Sequence, residues 1–307
     1  MSKKMLFIYN PRSGKGTIKS KLMDILDLFI KAGYRVEVHP TQGYLDAMKI
    51  TKDCAGEFDL LACSGGDGTL DEVVSGLMQG GHQTPIGYIP SGSTNDFANS
   101  LHISKNMLRA ANDIIYGDML SFDVGEFNKD TFVYIAAFGL FTDVAYETNQ
   151  DLKNILGHMA YILEGAKRLY GIQSYQMTVE YGENIFEGDF IFGMITNSTS
   201  IGGFKNLSGK NVKMDDGLFE AMFVRKPRKA LELQEIVAAL LMAEDDTDLI
   251  ESFKTNHISI QGKEEIPWTL DGEYGGDHQE VEIKNRKQAA RIAVPAKQEE
   301  IKQIEKN

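Results

Sequence analysis

The chain has 307 residues, 42% of them hydrophobic, with 32 Lys and Arg against 44 Asp and Glu and a formal net charge of -12. This size predicts one large or two medium domains, and the negative charge argues against nucleic-acid binding, which relies on basic surfaces. No apolar stretch is long enough to span a bilayer, and only Cys54 and Cys63 occur, with no secretory signal, so we expect a cytoplasmic protein with reduced thiols.

The first 124 residues alternate short apolar runs with segments of helical periodicity. We predict buried strands at 5–9, 35–39, 58–63 and 86–89, because each run is too short for a buried helix. Apolar residues at three- and four-residue steps predict helices over 18–29, 44–54 and 70–78. This alternation of strand, loop and helix indicates an α/β, three-layer domain with a parallel sheet between helices, which we place at 1–124.

The pattern changes near residue 125. Alternating or apolar runs predict strands at 132–135, 177–181, 185–196, 218–224, 257–260, 281–284 and 290–294, and helical patterns cover 152–170 and 229–242. We therefore expect a mainly antiparallel β-sandwich as the second domain, over 125–285. Residues 286–307 form a C-terminal strand or tail that could return to the first domain.

Three loops rich in small residues follow strands of the first domain, at 10–16, 64–69 and 90–96. The carboxyl ends of parallel strands meet at one edge of a sheet, and ligands bind at that edge. Such loops aim backbone N–H groups at a ligand, and the N-terminus of a following helix favours an anion. One loop of this kind is weak evidence, whereas three at one edge predict a phosphate-binding site. None has the Gly-Lys-Ser/Thr ending of a Walker-type loop.

Asp67 lies in the second of these loops, where a negative side chain needs an explanation. A carboxylate beside phosphates is stable if a cation lies between the two negative groups. Magnesium prefers carboxylate, water and phosphate oxygens, and Gly14-Lys15-Gly16 in the first loop offers no hydroxyl for that ion. Asp67 therefore predicts a nucleoside triphosphate bound with magnesium.

The motifs resemble those of the diacylglycerol kinase and sphingosine kinase superfamily, most closely the soluble bacterial diacylglycerol kinases. The matching stretches are Asn10-Pro11-Arg12-Ser13-Gly14, Ser64-Gly65-Gly66-Asp67-Gly68-Thr69, Pro90-Ser91-Gly92-Ser93-Thr94-Asn95-Asp96-Phe97-Ala98, Lys213-Met214-Asp215-Asp216-Gly217-Leu218 and Asp271-Gly272-Glu273. NAD kinases and phosphofructokinases share the glycine motif, so the stretch 95–98 is the discriminating one. The chain has Ser93 where the family usually has threonine, which keeps the hydroxyl.

The resemblance implies a role for individual residues. The ATP site would be lined by Asn10, Pro11, Arg12, Ser13, Gly14, Thr41, Gly66, Asp67, Gly68, Thr69, Leu70, Asp71, Glu72 and Ser93 or Thr94. Asp67 would hold the catalytic magnesium through water. Glu273 would be the general base for the lipid hydroxyl, with Asp271 orienting the metal or the base. A structural magnesium would bind the carbonyls of Lys213 and Leu218 and the carboxylate of Asp216.

Simpler interpretations stay open for several of these segments. Asp271-Gly272-Glu273 and Asp215-Asp216-Gly217 are common turn sequences in proteins without any ligand there. The basic run 225–229 could dock on anionic lipid, although a solvated loop before a helix is the simpler explanation. The apolar side of 152–170 suits a core position, and the alternative is an acyl-chain pocket.

We expect a cytoplasmic lipid kinase that uses ATP and magnesium and transiently visits the inner membrane surface. The favoured acceptor is diacylglycerol, giving phosphatidic acid. The motifs concern the phosphate-binding part of the site and not the acyl chains, so other lipid alcohols stay open as acceptors. An NAD-kinase-like enzyme is a second hypothesis, disfavoured because no Asn-Glu pair is followed by small residues. A catalytically silent lipid- or nucleotide-binding regulator is a third, against which intact Asp67 and Glu273 argue. A homodimer is the default assembly.

Overall fold

The chain folds into two compact units, Met1–Phe122 with Gln288–Asn307 and Asp123–Lys287. The computed structural model describes residues 2–93, 95–140, 173–198, 200–201, 204–205, 212–242 and 247–296. The helix predicted over 152–170 lies outside these residues, as do Thr94 and the tail from 297. Within the described ranges, no helix is both long and apolar enough to cross a bilayer.

The first unit is built on a parallel sheet. Its strands are β1 (Lys3–Tyr9), β2 (Tyr34–Pro40), β3 (Leu60–Gly65) and β4 (Ile86–Pro90), in the order β4-β3-β1-β2. Phe7, Cys63 and Tyr88 are fully buried in the central strands. At the outer side of β4, Ile292 pairs in parallel with Ile86, so a segment near the C-terminus adds to this sheet.

Helices connect these strands. They are a 3-10 helix (Ser13–Ser20), α1 (Leu22–Lys31), α2 (Asp46–Cys54), a 3-10 turn (Ala55–Glu57), α3 (Asp67–Gly80), α4 (Asp96–Ser100) and α5 (Met107–Tyr116). Phe29 of α1 packs edge-on against Phe7, with ring centroids 5.8 Å apart. The first helical segment begins earlier than predicted, because Gly14 and Gly16 take positive φ values of 52° and 72° that let the chain coil directly after β1. The predicted α/β fold class is confirmed.

The second unit is mainly antiparallel, as predicted. Its elements are β5 (Asp118–Phe127), which begins in the first unit, β6 (Asp130–Phe132), β7 (Ile135–Gly139), β8 (Tyr175–Tyr181), β9 (Asn184–Thr196), β10 (Ser200–Ile201), β11 (Phe204–Lys205), β12 (Phe219–Arg225), α6 (Ala230–Met242), β13 (Ile250–Thr255), β14 (His257–Leu270) and β15 (Glu273–Val294), which ends in the first unit. The strand order is β13-β12-β9-β7-β14-β15, and β8 pairs with both β9 and β14.

The alternation of side chains along β12 divides the apolar residues of this unit into two clusters. Phe223 packs in one cluster with Phe138 and Trp268, whose rings lie 4.9 Å apart. Met222 faces the other cluster, which includes Ile236 of α6. Both faces of this sheet region are therefore covered by apolar side chains.

Several strand predictions were wrong in extent. The predicted strand at 132–135 is divided into β6 and β7, because the backbone N–H groups of Val133 and Tyr134 donate to the side chain of Asp271. The segments predicted at 281–284 and 290–294 belong to the single strand β15. The polar residues between them concealed that continuity.

Candidate active site

The three small-residue loops of the first unit are joined to one another at the carboxyl ends of β1, β3 and β4. The backbone N–H of Asn10 donates to the carbonyl oxygen of Ser64 at 2.8 Å. The backbone N–H of Ser91 donates to the carbonyl oxygen of Gly65, also at 2.8 Å. These loops, which the sequence predicts at one edge of the sheet, are in direct contact with one another.

The loops approach so closely that two positions accept only glycine. A Cβ atom on Gly14 would lie 1.8 Å from the carbonyl oxygen of Ser91, well inside van der Waals contact. A Cβ atom on Gly92 would lie 2.6 Å from the Cα atom of Gly66. Close approach of bare backbone is the arrangement with which proteins cradle phosphate groups.

Asn95 closes the third loop, a role that the sequence analysis did not assign to it. It takes a left-handed conformation with φ of 55°. Its side-chain oxygen accepts the backbone N–H of Gly92 at 3.0 Å, and its amide donates to the carbonyl oxygen of Gly92 at 2.7 Å. The hydroxyl of Tyr88 also donates to Asn95 Oδ1, at 3.3 Å. Asparagine tolerates this backbone conformation better than most residues and is typical of such turns.

Asp67 is the first residue of α3, and its carboxylate is held by the start of another helix. Oδ2 accepts the backbone N–H of Asp96 at 3.1 Å, and Oδ1 accepts that of Phe97 at 3.4 Å. These are N–H groups of α4, whose N-terminus favours negative charge. Burial raises the pKa of Tyr88 well above its ordinary value, and the charge of Asp67 raises it further. Asp67 is therefore fixed in orientation, and its oxygens are of the type that magnesium prefers.

Glu72, which was also assigned to the ATP site, holds the N-terminus of α2. Its carboxylate accepts the backbone N–H groups of Leu45 at 3.1 Å and Ala47 at 3.0 Å, at the N-terminus of α2. Burial raises the pKa of Glu72, and these hydrogen bonds oppose that rise. The loop that Glu72 holds follows Thr41, whose backbone N–H donates to the carbonyl oxygen of Tyr9.

The remaining residues assigned to ATP occupy varied environments. Asn10 Oδ1 accepts the backbone N–H of Arg12 at 2.9 Å, which tightens the first loop. Thr69 and Leu70 are buried in α3, whereas Ser93 is exposed. Thr94 lies outside the described residues.

In the second unit, Asp271-Gly272 forms the two-residue turn between β14 and β15. Both residues have positive φ, 50° and 88°, as in a type I′ hairpin turn. The Asp271 side chain is buried, and its carboxylate accepts three consecutive backbone N–H groups, from Val133 at 2.6 Å, Tyr134 at 3.0 Å and Ile135 at 2.9 Å. Asp271 thereby joins its own turn to the segment between β6 and β7.

Glu273 begins β15 directly after this turn. Its side chain is exposed, and within the described part of the chain its carboxylate takes part in no hydrogen bond or ion pair. It pairs in register with Leu270 across the hairpin. The hairpin turn thus presents Glu273 with an exposed carboxylate.

Asp123, which had no assigned role, organises the segment 213–218. Because a structural cation is predicted there, this segment is called the metal loop. Its fully buried carboxylate accepts the backbone N–H of Gly217 at 2.6 Å. Its own backbone N–H donates to the carbonyl oxygen of Met214 at 2.7 Å. The side-chain amide of Asn197 donates to the same oxygen at 3.3 Å. The conformation of the loop is therefore set by residues distant in sequence.

The oxygen atoms of the metal loop suit a hard cation. Asp216 Oδ1 accepts the backbone N–H of Leu218 at 3.0 Å. Among the described residues, none donates a hydrogen bond to the carbonyl oxygen of Lys213 or of Leu218. Carboxylate and carbonyl oxygens are the ligands of magnesium and calcium. No group of three or more His, Cys, Asp or Glu gathers at one point in the described ranges, so a cation here would depend on backbone carbonyls.

Strand register brings the metal loop and the Asp271 turn to the same edge of the second unit's sheet. Ile135 at the start of β7 pairs with Thr196 at the end of β9, and Thr196 pairs with Glu220 near the start of β12. Leu270 at the end of β14 pairs with the second residue of β7 and with Glu273. The metal loop enters β12 at this edge. Two strands, β9 and β7, lie between β12 and β14, and adjacent strands are about 4.8 Å apart.

The basic run 225–229 is partly neutralised. Arg225 forms an ion pair with Glu251 at 2.7 Å and lies over the ring of Phe190, 5.1 Å from its centroid. Lys226 donates to the hydroxyl of Ser174 at 3.0 Å. Arg228 and Lys229 are exposed, so the solvated-loop and lipid-docking interpretations both stay open.

Comparison with known proteins identifies relatives over almost the whole chain. Residues 4–127 match the family described as diacylglycerol kinase catalytic domain. Diacylglycerol kinase of Bacillus subtilis (strain 168) is 35% identical over 276 residues, covering 89% of this chain and 91% of that protein. Diacylglycerol kinase of Staphylococcus carnosus (strain TM300) is 34% identical over 278 residues, 90% of each. A structure of a diacylglycerol kinase from Bacillus anthracis str. Sterne has the same fold, with a TM-score of 0.73, 22% identity and coverage of 95% and 97%.

Proposed function

This chain belongs to the diacylglycerol kinase family, and we propose that it transfers the γ-phosphate of ATP to the hydroxyl of diacylglycerol, giving phosphatidic acid. The resemblance that the motifs indicated is confirmed, and with it the expected class of enzyme, a lipid kinase. The finer assignments below remain proposals. They concern the contacts with ATP, the magnesium ions, the base, the membrane and the assembly.

The observation that best supports ATP binding is the contact between the three glycine-containing loops, with Asp67 fixed beside them. We propose that backbone N–H groups of 10–14 and 66–69 surround the phosphates, with Ser93 and Thr94 from the third loop. Thr41 would contribute from the end of β2, and Glu72 would act by holding the loop that follows Thr41. Phosphoryl transfer needs positioning and charge neutralisation above all, which such a cradle supplies.

Asp67 is our proposed holder of the catalytic magnesium, through water. When bound, this ion would neutralise charge on the phosphates and on the leaving ADP. The N–H groups at the start of α4 fix the carboxylate so that it needs no reorientation when nucleotide arrives. Such preorganisation is the usual source of electrostatic catalysis.

Glu273 is the proposed general base. It would accept the proton of the acceptor hydroxyl while the hydroxyl oxygen forms its bond to the γ-phosphorus and the bond to the bridging oxygen of ADP breaks. An exposed carboxylate on a rigid hairpin turn suits this role, because it can reach a substrate hydroxyl. Asp271 would act as a positioning residue, since its carboxylate is engaged by three backbone N–H groups.

The metal loop, the membrane and the assembly complete the proposal. Lys213, Asp216 and Leu218 would hold a structural magnesium with oxygen ligands, and Asp123 would shape the loop. Because diacylglycerol resides in a bilayer, the enzyme would visit the inner membrane surface transiently. A symmetric homodimer is the proposed assembly. Sedimentation with vesicles and light scattering after gel filtration measure these last two properties directly.

One assay tests the function. The purified chain is incubated with magnesium, labelled ATP and, separately, diacylglycerol, other lipid alcohols and NAD, and the products are separated by chromatography. We expect label in phosphatidic acid. Label in NADP would instead identify an NAD-kinase-like enzyme. ATP binding without any labelled product would identify a catalytically silent regulator.

A further inference from the structure

Glu220 is a buried acid in β12 that the proposed mechanism does not use. It is 7% exposed. Its register partners are Lys254 on β13 and Thr196 on β9. Lys254 Nζ lies 2.7 Å from Oε1 of Glu220. The second carboxylate oxygen, Oε2, is buried and has no hydrogen-bond partner among the described residues.

This arrangement leaves part of a buried charge uncompensated. A buried carboxylate oxygen without a hydrogen-bond partner carries an uncompensated desolvation cost. Glu220 lies near the start of β12, two residues after Leu218 of the metal loop. A cation bound by that loop would give Oε2 a partner.

Building on the proposed function, we propose that Glu220 is a further partner of the cation held by the metal loop, which it contacts through Oε2 directly or through a water ligand. Two observations support this assignment independently of each other. Glu220 offers a buried oxygen without a donor. The loop, two residues before it in sequence, offers the carbonyl oxygens of Lys213 and Leu218, to which no described residue donates.

The donor set defines the chemical class of the cation. All of the candidate ligands are oxygens, from carboxylates and backbone carbonyls, and such sets select magnesium or calcium over softer metals. The ion pair between Glu220 and Lys254 remains intact in this scheme, because Lys254 contacts Oε1 and the cation would contact Oε2. Glu220 would add charge to a loop in which Asp216 is otherwise the one carboxylate assigned to the ion.

The test measures cation binding in the absence of nucleotide. Glu220→Gln keeps the shape and removes the charge, Asp216→Asn tests the assigned ligand, and Glu251→Gln is the matched control, because Glu251 is a paired carboxylate on the neighbouring strand. Melting temperature is recorded in EDTA and over a magnesium titration, and affinity is measured by calorimetry with MgCl2. We expect wild type and Glu251→Gln to gain stability from magnesium. Glu220→Gln should bind magnesium at least about tenfold more weakly, as do variants of residues that support metal ligands.

Two results would overturn the assignment. A wild-type magnesium affinity in Glu220→Gln would show that the acid serves only its pair with Lys254. Absence of any magnesium effect in wild type would remove the metal loop site and Glu220 with it. Both readouts are independent of lipid phosphorylation, so an inactive wild type that binds magnesium through Glu220 would reject the proposed kinase activity and leave this inference standing.

Discussion

The carboxylate of Asp67 accepts a hydrogen bond from the backbone N–H of Asp96 at 3.1 Å, so the first residue of α3 caps the first turn of α4. This contact links the second and third loops through a charged group. The negative side chain beside the proposed phosphate site is therefore stabilised by the protein itself, with no cation required. The same contact fixes the direction in which the acid presents its oxygens.

Replacement of Asp67 should affect nucleotide binding and stability together. In Asp67→Ala, the N-terminal N–H groups of α4 lose their acceptor, which should lower the free energy of unfolding by about 1 kcal/mol. Magnesium-ATP affinity and turnover should both fall, since the proposed metal ligand is absent. Calorimetry with ATP, with and without magnesium, measures the effect. Equal ATP affinity in wild type and variant at saturating magnesium would contradict the role of Asp67 in holding the ion.

Gly14→Ala should disrupt the cradle through contact as well as backbone strain. The added Cβ would lie 1.8 Å from Ser91 O, and Gly14 has a positive φ of 52°. The matched control is Gly81→Ala, because Gly81 has φ of 65° and no atom within 4 Å of its Cβ position. We expect both variants to melt at lower temperature, and Gly14→Ala alone to bind ATP at least about tenfold more weakly, a difference of about 1.4 kcal/mol. Parallel losses of ATP affinity in the two variants would mean that strain, and not separation of the loops, is responsible.

Asp46 should give the loop after Thr41 a pH-dependent stability. The backbone N–H of Gln42 donates to its carboxylate at 2.7 Å, and this bond, with the nearby His39, holds the pKa of Asp46 below its ordinary 3.8. The pKa of Asp46 is lower in the folded chain than in the unfolded chain. The ionised carboxylate therefore stabilises the fold at pH values above 3.8, and this stabilisation is lost as the pH falls through the pKa of the folded chain. The melting temperature of wild type should therefore be higher than that of Asp46→Asn at pH 7, and the difference should disappear below pH 3.8. The control is Asp53→Asn, at the exposed C-terminal end of α2. A difference in melting temperature that does not change with pH, or that the control also shows, would reject this explanation.

How much of the fold and of the candidate site could be predicted from the sequence depends on how far apart in sequence the contacting residues are. Apolar runs identified β1 and β3 closely, because a buried strand is a local pattern. The Asp-Gly pair likewise indicated a turn. Sequence could not show that the carboxylate of Asp271 binds the backbone at Val133, 138 positions away. For the same reason, no sequence signal indicated that the carboxylate of Asp123 accepts the backbone N–H of Gly217, 94 positions away.

Asp271 should behave as a positioning residue. In Asp271→Asn, an amide group would face N–H groups that now donate to a carboxylate, and a buried mismatch of this kind costs about 1–3 kcal/mol. Melting temperature and turnover should fall together, while ATP affinity stays near wild type. The magnesium concentration that gives half-maximal rate should not change. A marked increase in that concentration would instead indicate that Asp271 orients the metal.

Glu273→Gln should separate chemistry from binding. The substitution keeps the shape of an exposed side chain on a rigid turn and removes the proposed proton acceptor. Nucleotide affinity and melting temperature should stay near wild type, because the carboxylate makes no hydrogen bond or ion pair within the described residues. Turnover on diacylglycerol should fall by ~10²-fold or more, the lower limit of what a positioned base supplies, which corresponds to at least ~2.7 kcal/mol of transition-state stabilisation. Glu280→Gln, an exposed acid further along β15, is the control and should retain full activity. If Glu273→Gln keeps most of its turnover, the proton acceptor lies elsewhere and the hairpin turn is a structural element only.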